Sequence, residues 1–326
     1  MTITNTAARR RARRSTRDRQ DARAGLAMVS PTVVVIVVAV VLPVLWTIMF
    51  SFQRVRLINL RQAGIFGNYS LDNFRHVFTS PGFTQSLLTT LAYAVGGTVL
   101  SIGVGLIAAI VVRSPFRGRA FVRASMLLPY IAPVVAVTFT WEIMLNAQFG
   151  IVNQLGSKVL GWNHPIPFLS EQSGQLGVGG VHITVPTALL TVIFFETWRY
   201  FPFAFLFILA RLQAIPGELD EAARVDGATP SQRFFYTVLP QLKGVFAVLA
   251  VLRFIWTFNK FDDIYLLTGG AAGTNVVSVR VYQILTTEGN IGQAAAQATV
   301  LAVILVICLA VYFLVFGRFT REAGSE

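Results

Sequence analysis

Three observations predict an all-α membrane protein with six transmembrane helices. Apolar residues make up 54% of the 326-residue chain and charged residues only 13%, about half the roughly 25% typical of a soluble domain. Six apolar runs each reach the ~20 residues that a bilayer-spanning helix needs. Basic residues alternate between crowded and sparse connections, as they do in chains that cross a membrane repeatedly. The apolar content excludes a disordered chain. A single cysteine, Cys308, excludes a disulfide scaffold. The formal net charge of +12 would suggest nucleic acid in a soluble protein. Here the positive charge flanks apolar spans, no aromatic or fold motif accompanies it, and no nucleic-acid partner is expected.

The chain opens on a basic tail, residues 1–25, with Arg9, Arg10, Arg11, Arg13, Arg14, Arg17, Arg19 and Arg23. Such a tail is a topogenic flank that sits against anionic lipid. The first span, 26–50, is too long for a secretory signal core, and no small-x-small cleavage site follows it. A mixed connection, 51–85, carries Phe66, Tyr69 and Phe74. The second span is 87–112. Arg113, Arg117, Arg119 and Arg123 crowd the connection to the third span, 122–145. A nearly uncharged, glycine-rich connection, 146–182, is expected to fold as short helices and turns on the outer face. The fourth span is 183–209, the fifth 245–267 and the sixth 294–316. A short tail, 318–326, closes the chain, so that residues 26–317 form one membrane domain. No tandem repeat and no separate soluble domain is visible.

Eighteen Lys and Arg fall on the side of the two tails and seven on the other. Inner loops collect Lys and Arg, so both termini are expected in the cytoplasm. Pro133 and Pro202 are expected to kink their helices.

The sequence offers no covalent chemistry. His76, His164 and His182 lie in outer connections without carboxylates or thiols at metal-ligand spacing, and neither GxSxG nor HExxH occurs. The glycine-rich stretch 269–275 lacks the Lys-Ser/Thr pair of a phosphate-binding loop, so any ATP and Mg must lie on another chain.

The connection between the fourth and fifth spans is the informative one. Glu218, Asp220 and Glu221 follow Pro216, where acids complement a helix dipole. Gly227 suits the left-handed position after that helix. Thr229 then reads as an N-cap and Pro230 as the first residue of a second helix, which Pro240 is expected to end. Leu219, Ala222 and Ala223 share a face of the first helix, and Phe234, Phe235 and Val238 a face of the second. A helix pair on the cytoplasmic face is something a partner can grip; on pattern alone it is equally a surface loop that caps the bundle.

The spacing Glu221-Ala222-Ala223, three residues, Gly227, then Leu239-Pro240 resembles the EAA signature of permease subunits of binding-protein-dependent ABC importers. Thr237 stands where that signature usually has Ile. Pro129, Pro133, Trp141, Gly150 and Asn153 are similar to the carbohydrate-uptake subclass, the maltose and glycerol-phosphate permease type. So are Trp198 with Pro202-Phe203, the stretch 212–216 and the stretch 261–270. The match covers about residues 30–316.

The resemblance implies the ABC importer permease fold with a cytoplasmic coupling helix pair. It implies a second related permease subunit, two ATPase subunits carrying ATP and Mg, and an extracytoplasmic solute-binding protein. It places the chain in the cytoplasmic membrane of a prokaryote. Carried over by position, Glu221, Ala222, Ala223, Asp226, Gly227, Leu239 and Pro240 couple to the ATPase, and the chain itself holds no cofactor.

Polar groups inside spans are candidates for the solute pathway. Glu196 and Arg199, three residues apart, are expected to pair; Arg253, Trp256 and Asn259 share the fifth span. A sugar, probed by Trp256 and Asn259, is the leading solute. Glycerol phosphate or a polyol stays open because of Arg199 and Arg253. An ion-coupled secondary transporter is the rival from another class, with Glu142 and Glu196 as candidate intramembrane acids.

Overall fold

The computed structural model describes residues 23–322, apart from positions 63, 163, 179 and 180. Residues 1–22 of the basic tail, Gly179, Gly180 and the last residues, 323–326, lie outside the described residues. Among the described residues five helices are long and apolar enough to cross a membrane, and a sharply bent pair makes six when its two halves are counted as one broken span.

Helix α1, Arg23–Ser51, is strongly apolar after its first turn and exposed until its last turn, as suits a surface facing lipid or another subunit. After a short connection, α2 (Asp72–Thr79) lies beside the end of α1. Asn73 fastens it by donating to the carbonyls of Ser51 and Gln53 at 3.0 and 2.8 Å. Helix α3, Pro81–Val111, is 31 residues long, about 46 Å.

The third predicted span is broken. Helix α4, Arg119–Ile131, and α5, Val134–Leu145, meet at 94°. Pro133 brings no N–H to continue α4, and it drives Ala132 into the extended region, ψ 140°.

Short helix α6, Ile151–Val159, begins the outer connection. Asn153 pins that connection through Nδ2 to Asn146 and Ile166 carbonyls and through Oδ1 to the Ile166 N–H. The expectation of helices and turns then fails for a β-hairpin. Strands β1 (Gly174–Val178) and β2 (Val181–Val185) pair antiparallel. Val181, Ile183 and Val185 alternate with His182 and Thr184, a period of two that belongs to a strand. The fourth span therefore starts at Thr187, after Pro186, as α7 (Thr187–Gln213).

Helix α8 (Gly217–Val225) and α9 (Pro230–Phe258) follow. Contrary to the expectation, Pro240 does not end a helix, because the turn before it widens. Residues Arg233–Val238 adopt π register, and α9 passes through Leu239 and Pro240 into the membrane. The same device recurs in α1, where Val37–Val41 are π and Pro43 follows. A π turn makes room for a ring that would otherwise strike the preceding turn, and the missing proline N–H falls where the ladder is already interrupted. The widened turn leaves Phe235 exposed while Phe234 and Val238 face the core.

The fifth span ends at Phe258, nine residues before the expected boundary. Its remainder is a separate helix, α10 (Asp262–Thr268), packed against α5. Helix α11 (Val277–Thr286) and the long α12 (Ile291–Glu322) complete the chain.

Helix α7 is the axis of the bundle, packed along α3 and touched by α4, α9 and α10. Small and hydroxylated α3 residues, including Thr98, Ser101 and Ala108, are buried in this packing. Such residues let membrane helices approach closely where no hydrophobic drive separates protein from lipid.

Candidate functional site

Two places concentrate polar groups. One is the turn between α8 and α9. Gly227 has φ +75°. Its N–H donates to Arg224 at 3.0 Å, and the Ala228 N–H to Ala223 at 2.9 Å, the two bonds that close a helix on a left-handed residue. A Cβ on Gly227 would meet nothing within 4 Å, so only backbone conformation restricts the position. Thr229 and Gln232 form a reciprocal cap on α9, with Pro230 in the first turn, where its missing N–H costs nothing.

A bond that the sequence did not suggest ties the helices together. Arg233 donates to both oxygens of Asp220, at 2.9 and 3.0 Å, and Arg224 reaches the same carboxylate at 3.0 Å. Val238, Leu242, Leu212 and Ile215 seat the pair against Ala108 and Val112 at the end of α3. Glu221, Ala222, Asp226 and Pro240 face outward with Leu219, Val225, Phe235 and Tyr236. Ala223 and Leu239 are half-buried. Of the sequence-predicted coupling residues, Glu221, Ala222, Ala223, Asp226 and Gly227 lie on α8 and its turn, which present an exposed, mixed polar and apolar face, whereas Leu239 and Pro240 stand farther along α9, past the π segment.

The other place is inside the bundle. Glu196, on α7, is fully buried and accepts three hydrogen bonds. Arg253 Nη2 reaches Oε1 at 2.6 Å, Thr257 reaches the same oxygen at 3.0 Å, and Tyr93 reaches Oε2 at 3.0 Å. Arg253 also donates to Ser101 at 3.2 Å and lies 4.6 Å from the Tyr200 ring centre. A buried ion pair persists only when its remaining valences are filled in this way. The site leaves no room for a larger residue on α3: a Cβ on Gly97 would come within 2.9 Å of Glu196 Cγ.

The expected Glu196–Arg199 pair does not form. Helix α9 brings Arg253 to Glu196, and Arg199 turns to the break between α4 and α5. There it donates to the Ala132 carbonyl and to the Tyr200 hydroxyl, both at 3.3 Å. It faces buried Asp263 of α10 at 4.0 Å, with Lys260 Nζ on the other carboxylate oxygen at 3.4 Å. Lys260 also donates to the Tyr200 hydroxyl. A carbonyl freed inside a bundle needs such a partner. Both Asp263 oxygens and Arg199 Nη1 are otherwise without a hydrogen bond.

Trp256 is half-exposed and packs on Phe203, ring centres 4.9 Å apart. Phe203 also meets Phe207 and Tyr130, and Tyr130 meets Tyr200. Asn259 stands apart, exposed, with Nδ2 on the Ile255 carbonyl of its own helix end at 2.8 Å. Sequence reasoning missed Tyr93, Thr257 and Ser101 because nothing local marks a polar residue that answers a charge on another helix. Asp263 falls within the stretch 261–270, but no sequence pattern sets it against Arg199 on another helix.

The chain is similar to known transport proteins along nearly its whole length. It is 33% identical over 291 residues to the inner membrane ABC transporter permease protein YcjO of Escherichia coli, covering 88% of this chain and 92% of that one. It is 31% identical over 305 residues to the trehalose/maltose transport system permease protein MalF of Thermococcus litoralis, covering 93% and 96%. Among solved structures, the bacterial alginate ABC transporter in complex with alginate pentasaccharide-bound periplasmic protein has a chain of the same fold. That chain matches with a TM-score of 0.77 at 22% identity, covering 93% of this chain and 97% of the other. The family profile of the binding-protein-dependent transport system inner membrane component matches residues 101–321. A broken third crossing, a capped helix pair between the fourth and fifth, and these matches agree: the chain belongs to that family, the multi-pass inner membrane permease subunits of ABC importers.

Proposed function

We propose that this chain lines one side of the path for a neutral carbohydrate and transmits the action of separate ATPase subunits to it. The observation that supports a neutral solute is the charge balance inside the bundle. Arg253 is matched by Glu196, Arg199 faces Asp263, and Lys260 reaches Asp262 at 3.7 Å as well as Asp263 at 3.4 Å, so three basic groups meet three carboxylates. An anionic solute would call for a basic group left free. A relative from Shigella flexneri, 29% identical, is named as an sn-glycerol-3-phosphate permease, but the pairing here favours the sugar reading. Tyr130, Tyr200, Phe203 and Trp256 offer aromatic faces beside those charges, a combination that suits the apolar faces and hydroxyls of a sugar. In this reading Glu196 and Arg253 hold the wall of the path, and Arg199, Asp263 and Trp256 lie nearest the solute. Asn259 has only a helix-end role.

The α8–α9 turn is the contact with the ATPase. Glu221, Ala222, Ala223, Asp226 and Gly227 present the surface, while Leu239 and Pro240 carry movement into the fifth crossing. Nucleotide and Mg belong to the partner subunits, a solute-binding protein delivers from outside, and a second permease completes the path. Both termini lie in the cytoplasm. The physics is a two-state bundle biased from both ends, with ATP and loaded binding protein favouring one state.

The test is uptake by the reconstituted complex with its binding protein against neutral disaccharides, polyols and sugar or glycerol phosphates. Stimulation of ATPase activity by a neutral saccharide supports the reading. Stimulation by a phosphorylated solute alone overturns it.

A further inference from the structure

A groove on the surface of the bundle has a composition that the transport reading does not use. It lies between α4 and α7, has a volume of about 460 Å³, and is walled by Leu127, Phe205, Leu206, Leu209 and Ala210. Its polar groups are Arg123 and Gln213. Helix α4 leaves the arginine-rich connection while α7 runs toward its own inner end, so these two share one end of the groove. From Phe205 to Gln213 the helix rises roughly 12 Å, most of the ~15 Å of one bilayer leaflet's hydrocarbon.

The charge at that end is unusual. Arg119 and Arg123 are one turn apart on α4, a like-charge spacing that disfavours a helix. Both are half-buried, and the Nε atoms of both are shielded from solvent without a hydrogen bond. Arg123 is held in place by donation to the Val112 carbonyl at 3.2 Å. Among the described residues no carboxylate lies within salt-bridge distance of either guanidinium. Arg113 and Arg117 add two more charges in the same connection. An apolar channel of leaflet depth, with the anchored Arg123 guanidinium at one end and Arg119 one turn away on the same helix, neither paired with a carboxylate, has the chemistry of a phospholipid site.

We propose that this groove binds an anionic phospholipid, its phosphate on Arg119 and Arg123 and an acyl chain along Leu127, Leu206 and Ala210. The assignment to the inner leaflet rests on the orientation proposed above. The headgroup preference does not, so a failure of the orientation and a failure of the lipid site are separate results.

Native mass spectrometry of the assembled complex, titrated with phosphatidylglycerol or phosphatidylcholine, measures the site. Phosphatidylglycerol should bind on the order of tenfold more tightly. Arg119→Gln with Arg123→Gln should abolish that preference, and Arg119→Gln alone, which spares the Val112 contact, should reduce it. Ala210→Trp should fill the groove and lower retention of both lipids. Equal binding of the two lipids by the wild type, or unchanged selectivity in Arg119→Gln and in the double variant, overturns the proposal. Displacement of phosphatidylglycerol by inorganic phosphate alone would reduce the site to an ion site and overturn the lipid assignment. A disulfide from Ala210→Cys to the second permease subunit would place protein in the groove and also overturn it.

Discussion

Arg253 and Glu196 form a 2.6 Å ion pair between α9 and α7, each essentially without solvent exposure. They stand 57 residues apart in the chain. Two helices that sequence reasoning treats separately are locked at this point, and the hydroxyls of Tyr93 and Thr257 complete the carboxylate's shell.

Removing one partner leaves a buried charge uncompensated. Glu196→Gln should destabilise the permease by about 3 kcal/mol. Replacing both partners, as Glu196→Gln with Arg253→Met, should recover more than half of that loss. Thermal unfolding of the purified complex measures both. A double variant no more stable than Glu196→Gln alone would show that the pair is not the unit.

Gly227 sits at φ +75° with open space around its missing Cβ. Gly227→Asn should therefore be tolerated, because Asn adopts this conformation readily. Gly227→Val should cost at least about 1–2 kcal/mol locally and uncouple ATP hydrolysis from transport. Substrate-stimulated ATPase activity and uptake at matched expression decide it; wild-type transport by Gly227→Val would make the turn a passive linker.

The Asp220–Arg233 clamp sets the angle between α8 and α9. Asp220→Ala should lower coupled uptake several-fold while leaving insertion intact, since a charge-assisted bond contributes about 1.5–3 kcal/mol at most and this one is partly exposed. Exchanging the charges, Asp220→Arg with Arg233→Asp, should restore part of the uptake. Equal uptake by wild type and Asp220→Ala would show that the helix angle is held by apolar packing alone.

The basic residues predict the orientation. In a chain with Cys308→Ser, an impermeant thiol reagent should label a cysteine at Pro165 in intact cells, and should spare cysteines at Arg10 and Glu322. Labelling at either end from outside would put the α8–α9 turn on the wrong side for an ATPase.

Much of the architecture was legible in the sequence because membrane spans are a local property. Length, apolar content and flanking arginines decide where a crossing lies, and none of them needs a partner helix. The helix pair around Gly227 was legible for the same reason: Thr229, Pro230, Asp226 and Gly227 act on their own backbone within a turn. What failed was the expectation that Pro240 ends the second helix. Pro133 breaks a crossing by 94°, whereas Pro240 is absorbed by a π turn and Pro202 stays inside a continuous helix. The hairpin Gly174–Val178 with Val181–Val185 was hidden by its apolar run, which merges with the next span.

Pairing across the bundle was decided by tertiary structure alone. Glu196 and Arg199 are neighbours on α7 and looked like partners, but α9 delivers Arg253 to the first and the α4–α5 break claims the second through the Ala132 carbonyl. A buried charge takes whichever neighbour removes most of its desolvation cost, and helix packing, not sequence spacing, chooses the neighbour.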